Sequence, residues 1–375
     1  VTRMRRGGTV APMPVNIQRT LIGDEGLTPT SHAGLTFPFG ERGPLPGELL
    51  TVAEGIRWWR VPMSGPLKHV NGLILDDGDG AAMAIDTGTA SPRSTEAWNT
   101  ILDGPLAGTR ISRVLGTHLH PDHIGLAGWL SRRFDDAPLV MTRTEWLMAR
   151  MLSADARPDV PQEQLDFWRG AGWDEAQVAR GAGAGWSNFA KMISRLPLRY
   201  HRIRDGETLR IGGADWQVVT GTGHSPEHAC LVDYERHILI SGDQVLPRIS
   251  SNVSIHASQI NDDPLGDWLE SIAKFKQLPD DLLVLPGHGD PFYGLHARLD
   301  ALDREHRERL DALVDLMAEG PLRAVDCFAT LFRRPIGPEV IGMATGEALA
   351  HLRRLEIEGR AICETRDGVW WFARA

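Results

Sequence analysis

The sequence predicts an α/β layered fold. Short apolar runs alternate with helical stretches from residue 49 onward, the pattern of strands covered by helices. The residues best suited to hold a metal also stand just past the ends of apolar runs, where a sheet gathers a site on one rim. At 375 residues, 42% of them hydrophobic, the chain is long enough to bury a large core. Its organisation reads as an N-terminal arm over 1–48, a main α/β domain over 49–298 with a helical insertion at about 145–200, and a C-terminal helical, winged-helix-like domain over 299–375.

Residues 1–48 are rich in Gly and Pro without clear periodicity, which suits an arm or irregular cap. Residues 49–60 alternate loosely around Trp58 and Trp59. The runs 70–75 and 81–85 flank Asp77-Gly78-Asp79-Gly80 and read as strand, turn, strand. A helix is expected over 94–102 and a buried strand over 111–115. Residues 145–200 carry Trp146, Trp168, Trp173 and Trp186 together with Met148, Met151 and Met192. They read as packed helices or as an apolar lid, with Gly181–Gly185 as a flexible joint. Strands resume at 208–211 and 216–219. Residues 229–232 and 237–240 read as a hairpin pair, and 282–285 as a last buried strand. Helices follow at 296–319, 324–332 and 347–358, then a hairpin from 361–365 and 369–372.

Composition narrows the function. A net charge of −9 gives no global electrostatic reason to bind nucleic acid or an anionic membrane. Cys230, Cys327 and Cys363 are too few, and odd in number, for a disulfide framework. The absence of CxxC argues against a thiolate zinc knuckle. No apolar run follows the basic residues at 1–6, so the expectation is a cytoplasmic enzyme without signal peptide or membrane span.

The histidines point to chemistry. Thr117-His118-Leu119-His120-Pro121-Asp122-His123 places three histidines and one aspartate within six residues. On an extended segment His118 and His120 point the same way and can grip one ion. A turn at Pro121 can swing Asp122 and His123 toward a second. His224 in Thr-Gly-His-Ser-Pro-Glu-His, Asp243 in Ser-Gly-Asp and His288 in Pro-Gly-His-Gly each follow an apolar run. Imidazole with carboxylate suits zinc first, with iron or manganese as alternatives. His228 reads first as a structural histidine, otherwise as a neighbour of the ligands or a contact for substrate or leaving group, and Cys230 as a buried small hydrophobe.

These four motifs, with Asp86-Thr87-Gly88, resemble the metallo-β-lactamase-fold hydrolases over roughly residues 50–295. The resemblance implies a four-layer αββα sandwich with two divalent metal ions at one edge. It assigns His118, His120 and His224 to the first ion, Asp122, His123 and His288 to the second, and Asp243 to the bridge between them. Two such ions lower the pKa of a shared water, and Asp122 is the implied catalytic carboxylate that orients the nucleophile or takes its proton. Aspartate at 243, where many zinc β-lactamases of this fold carry cysteine, lowers the antibiotic-resistance reading. Histidine at 120, where oxygen-reducing di-iron relatives carry glutamate, favours hydrolysis over redox work. The set is most similar to glyoxalase-II-like thioesterases and to the subgroup with a C-terminal winged-helix-like domain, which includes endoribonucleases.

The expected function is therefore a dinuclear metal-dependent hydrolase of a small-molecule acyl substrate, a thioester such as acyl-CoA or acyl-glutathione. A lactonase and a metal-dependent endoribonuclease are the alternatives. Arg333, Arg334, Arg353, Arg354, Arg360 and Arg366 offer a basic face for RNA, but acidic residues interleave them. Completion of the substrate pocket or a homodimer contact is the preferred role for the tail.

Overall fold

A computed structural model describes residues 28–40, 43–65, 67–186 and 188–375. Up to residue 27 the expected arm lies outside the described residues. After it, β1 (Thr30–His32) and β2 (Leu35–Phe37) form a hairpin. Leu35 and Phe37 are buried, and Thr36 exchanges backbone hydrogen bonds with Tyr293. This part of the arm caps the second half of the domain.

β3 (Leu50–Ala53), β4 (Ile56–Pro62), β5 (His69–Gly78) and β6 (Ala81–Ile85) follow one another antiparallel. The turn between the last two holds Asp79 and Gly80 at φ 50° and 69°, left-handed values that Asp and Gly tolerate best. α1 (Pro92–Asp103) starts where Ser91 accepts from the Ser94 amide and Pro92 supplies a preset φ. The chain returns in β7 (Arg110–Leu115), parallel to β6, then forms α2 (Pro121–Ile124), α3 (Ala127–Arg133) and the parallel strand β8 (Leu139–Met141). The insertion supplies α4 (Arg143–Ala154), α5 (Gln162–Gly170), α6 (Glu175–Gly183) and α7 (Asn188–Met192) before β9 (Tyr200–Arg202) closes a seven-stranded sheet in the order β3 to β9.

The second sheet holds β10 (Thr208–Ile211), β11 (Ala214–Gly221), β12 (His228–Asp233), β13 (Ile238–Gly242) and, after α8 (Pro264–Phe275), β14 (Leu283–Pro286). The expected hairpin of 229–232 with 237–240 is the β12–β13 pair. α8 is missing from the sequence reading, although Leu265, Trp268, Ile272 and Phe275 repeat at helical spacing and are all buried. α9 (Leu295–Leu316), α10 (Phe328–Leu331), α11 (Ile341–Ile357) and the hairpin of β15 (Ala361–Arg366) with β16 (Val369–Arg374) complete the chain.

The four layers follow from strand periodicity. Met83 and Ile85 of β6 enter the core between the sheets, while Ala82 and Ala84 face α1 and α3. In β12, Ala229 and Leu231 join the same inter-sheet core, while Cys230 and Val232 face α8 and α9. Strands covered on both faces read as unbroken apolar runs, which is why the alternation is faint in the sequence. The αββα sandwich expected from the resemblance is the observed architecture.

The insertion is packed rather than loose. Trp146 stacks on Tyr200, and Trp168 stacks on Trp173 with ring centroids 4.9 Å apart. Trp173 Nε1 donates to Thr345 Oγ1 of α11 at 2.8 Å, so α5 and α6 are bound to the C-terminal elements. The joint expected at 181–185 falls partly inside α6, which continues through Gly183 before the chain turns at Gly185, φ 72°. Gly181 lets α6 approach Trp168 closely, for a Cβ there would lie 2.8 Å from the indole ring. The interleaved charges weighed against a basic face in the tail do pair with four of its arginines. Arg353 pairs with Glu356, Arg354 with Asp263 and Glu358, Arg360 with Asp311, and Arg366 with Glu364.

Where α9 and α11 meet, His306 Nδ1 lies 3.2 Å from His351 Nε2, and both residues are fully buried. Burial drives both imidazoles toward neutrality, His351 to about 4. The unfolded chain takes up a proton here near pH 6.5 and the folded one does not, so this stability is complete above about 6.5 and is lost as pH falls toward 4. At ~1.4 kcal/mol per pH unit, His351 makes about 3 kcal/mol of stability pH-dependent. Urea unfolding at pH 7 and pH 4.5 is expected to show His351→Gln flattening this acid loss; an unchanged slope would refute the assignment.

Candidate metal centre

Every candidate ligand stands at one rim of the sandwich, where β7, β11, β13 and β14 end. His118 and His120 lie on the bend after β7, and α2 begins at Pro121, turning Asp122 and His123 back toward them. The segment carrying His118 and His120 is bent rather than extended, yet both rings still meet. His118 Nε2 lies 2.9 Å from His120 Nδ1, and His224 Nε2, 106 residues on, lies 3.3 Å from His118 Nε2. The second group is equally close: His288 Nε2 is 3.2 Å and His123 Nε2 3.6 Å from Asp122 Oδ2. Asp243 sits between the groups. Its Oδ1 is 3.4 Å from His123 Nε2, and its Oδ2 is 3.6 Å from both His224 Nε2 and His288 Nε2. All seven residues predicted from the sequence converge, and the ligand atoms of His118, His120 and His224, and of Asp122, His123 and His288, lie within 4.8 Å of one another.

The outer nitrogens explain why the inner ones face the pocket. His224 Nδ1 donates to the Asn252 carbonyl at 2.7 Å, His288 Nδ1 to the His69 carbonyl at 2.9 Å, and His123 Nδ1 to the Asp86 carboxylate at 2.6 Å. Thr117 gives its hydroxyl to Asp86 and so accepts from His118 Nδ1 at 3.0 Å. Each bond favours the proton on Nδ1, so that the neutral ring can offer its Nε2 lone pair, as a metal-binding imidazole does. Asp86, at φ 56°, also accepts from the Thr117 amide. A left-handed non-glycine residue costs backbone strain, accepted here where one carboxylate orders the loop after β7.

The electrostatics are those of a cation site. Burial opposes ionisation of Asp243, but His288 and His123 outweigh it and hold the carboxyl well below its ordinary range. Burial likewise opposes the His123 imidazolium, yet Asp243, Asp86 and Asp122 raise it well above the usual histidine value. His118 is driven the other way, by burial first and then by the neighbouring imidazoles. His123 Nε2 and Asp243 Oδ1 are buried with no hydrogen-bond partner. These two buried atoms lie 3.4 Å apart without a hydrogen bond among converging His and Asp donors, a set that would suit a pair of divalent cations once His123 gives up its Nε2 proton.

His228 belongs to the site although it faces neither group. Its Nε2 accepts from the Asp243 amide at 3.0 Å, and its ring stacks on His118 at 4.6 Å. Cys230 is a buried small residue beneath it. Glu145 escaped the sequence reading. Thr142-Arg143-Thr144-Glu145 has the spacing of an N-terminal capping box, yet Thr142 makes no side-chain cap and Glu145 turns inward.

Comparison with known proteins agrees with this geometry. The family described as "Metallo-beta-lactamase superfamily" matches residues 65–288, and "Metallo-beta-lactamase-like, C-terminal domain" matches 310–375. A solved beta-lactamase domain protein from Burkholderia ambifaria superposes with a TM-score of 0.83 at 37% identity, over 91% of this chain and 98% of that one. A metallo-beta-lactamase family protein from Thermus thermophilus gives 0.72 at 27% identity, over 86% of this chain and 99% of that one. Among curated relatives, an atrochrysone carboxyl ACP thioesterase of Aspergillus fumigatus is 26% identical over 78% of this chain and 58% of its own length. A hydroxyacylglutathione hydrolase of Xylella fastidiosa is 24% identical over 56% of each chain. Fold, paired His/Asp clusters and family match agree: the chain belongs to the metallo-beta-lactamase superfamily and carries the dinuclear metal-hydrolase site of that fold.

Proposed function

We propose that the chain hydrolyses an activated acyl substrate, a thioester, with His118, His120 and His224 holding one cation, Asp122, His123 and His288 the other, and Asp243 joining them. The observation that carries this reading is the Asp243 carboxylate standing within 3.6 Å of nitrogens from both histidine groups, with no cysteine among the ligands. The thioester assignment is supported by the two curated relatives, whose names specify acyl-carrier and glutathione thioesters. When bound, two dications bring the pKa of a shared water toward neutrality and polarise the acyl oxygen.

The protein's own groups do the rest. Burial disfavours the Asp122 carboxylate, but His123 and a hydrogen bond from His288 hold it ionised, ready to orient the attacking water and accept its proton. Its side chain is 19% exposed against 9% for Asp243, so it faces the open side of the pocket. His228 fixes the Asp243 backbone, keeping that carboxylate between the two groups. The ion pairs that occupy Arg353, Arg354, Arg360 and Arg366 leave little support for RNA as substrate.

The test is a substrate panel of acyl-CoA, acyl-glutathione, acyl-carrier, lactone and RNA with metal-loaded protein. Thioester hydrolysis should vanish on chelation and return with added metal, and Asp122→Ala should lower kcat by about 10²–10⁴-fold. RNA cleavage with every thioester and ester refused would overturn the proposal. Among the described residues no helix is long and apolar enough to cross a membrane.

A further inference from the structure

The two halves of the centre are held by different buried acceptors. His123 and His288 are held by Asp86 and the His69 carbonyl, both at ends of sandwich strands. The loops carrying His118, His120 and His224 are tied to the insertion and the tail as well. Glu145 of α4 is fully buried, and its Oε2 accepts from the Leu119 amide, between His118 and His120, at 2.8 Å. Its Oε1 accepts from Ser225 Oγ, next to His224, at 2.7 Å, and from the Glu227 amide at 2.8 Å. One carboxylate thus staples two loops that are about 100 residues apart in the chain. Glu347 of α11 accepts from Asn252 Nδ2 at 2.9 Å, and the Asn252 carbonyl is the acceptor that orients His224. Arg309 of α9 lies 3.5 Å from the same glutamate.

We propose that Glu145 and Glu347 are positioning residues that set the geometry of the His118–His120–His224 group from outside the sandwich, so that binding of the first cation depends on these two glutamates while binding of the second does not. This rests on reading the two groups as cation sites. Neither glutamate reaches the pocket; each acts through a loop. Glu145 is the stronger of the two, because all three of its donors lie within the ligand loops. Burial is costly for a carboxylate that meets no cation and raises its pKa to about 7, so its retention needs a compensating role. The three donors supply one.

The experiment titrates metal-free protein with zinc by calorimetry and follows amide exchange in the peptides containing Leu119 and Glu227. Wild type is expected to take up two ions. Glu145→Gln, the same size but with only one acceptor oxygen, and Glu145→Ala should weaken one ion by about 10–100-fold and leave the other unchanged. The exchange of both peptides should quicken while exchange around Asp86 stays the same. Glu347→Ala should weaken the same ion without changing the Leu119 peptide. Equal weakening of both ions, or two unchanged ions with unchanged exchange, would overturn the inference. A wild-type protein that takes up no metal would instead sink the reading of the centre, and the exchange data would still decide the role of Glu145.

Discussion

Asp243→Ala is expected to abolish paired metal binding and to lower kcat/KM by about 10³-fold or more, a larger loss than from any other single ligand. The reason is position. Among the described residues Asp243 is the one carboxylate within 3.6 Å of nitrogens from both groups. Without it, Asp122 is left beside His123 and His288, but no negative charge joins that group to His224, and two dications at ~3.5–4 Å would repel with less screening. Asp243→Asn keeps the volume and loses the charge, so it should resemble the alanine variant. Metal content after dialysis, measured by atomic emission, should fall from two ions per chain to one or fewer. Two retained ions in Asp243→Asn would show that charge at this position is not what joins the groups.

Gly287→Ala is the second large effect, and its cause is space rather than backbone conformation. Gly287 is not among the residues at positive φ, unlike Gly289 at 85°. A Cβ at 287 would overlap Asp243 Oδ1 and sit 2.9 Å from His123 Cε1 and 3.1 Å from the Gly242 carbonyl carbon. The Gly287 amide also donates to the Gly242 carbonyl at 2.7 Å, so the strand ends cannot part to make room. The methyl must therefore push Asp243 off the line between the groups. Activity should fall by about 10²-fold, as for a catalytic group displaced by about 1 Å. Thermal stability should fall by only about 1–3 kcal/mol, the usual cost of one extra methyl in a packed site. Full activity in Gly287→Ala would mean that Asp243 has freedom the packing denies.

Much of the centre is legible in the sequence because its chemistry is local. Three histidines and an aspartate within six residues form a donor set that few roles besides metal binding would assemble, and the distant ligands betray themselves by standing at the ends of apolar runs. The layered fold is legible for the same reason, since the runs are short and buried on both faces. Other features hide because their meaning lies in a partner far along the chain. Glu145 has the spacing of a helix cap, and nothing near it in sequence reveals Leu119 or Ser225. The glycines at 181–185 look like a joint until Trp168 is seen against Gly181. Arg354 looks like part of a basic face until Asp263, 91 residues away, neutralises it. His228 could be weighed but not placed, because its partner is the backbone of Asp243.

By itself, the sequence determined the donor types, their order along the chain and the strand ends that carry them, since these follow from side-chain chemistry and short-range periodicity. Only the tertiary structure decided that Asp243 lies between the groups, which ring nitrogen each histidine turns inward, and that the first group is fastened by Glu145 and Glu347. Those outcomes depend on the stacking of two sheets and the docking of an insertion and a tail, contacts whose distances no local pattern encodes.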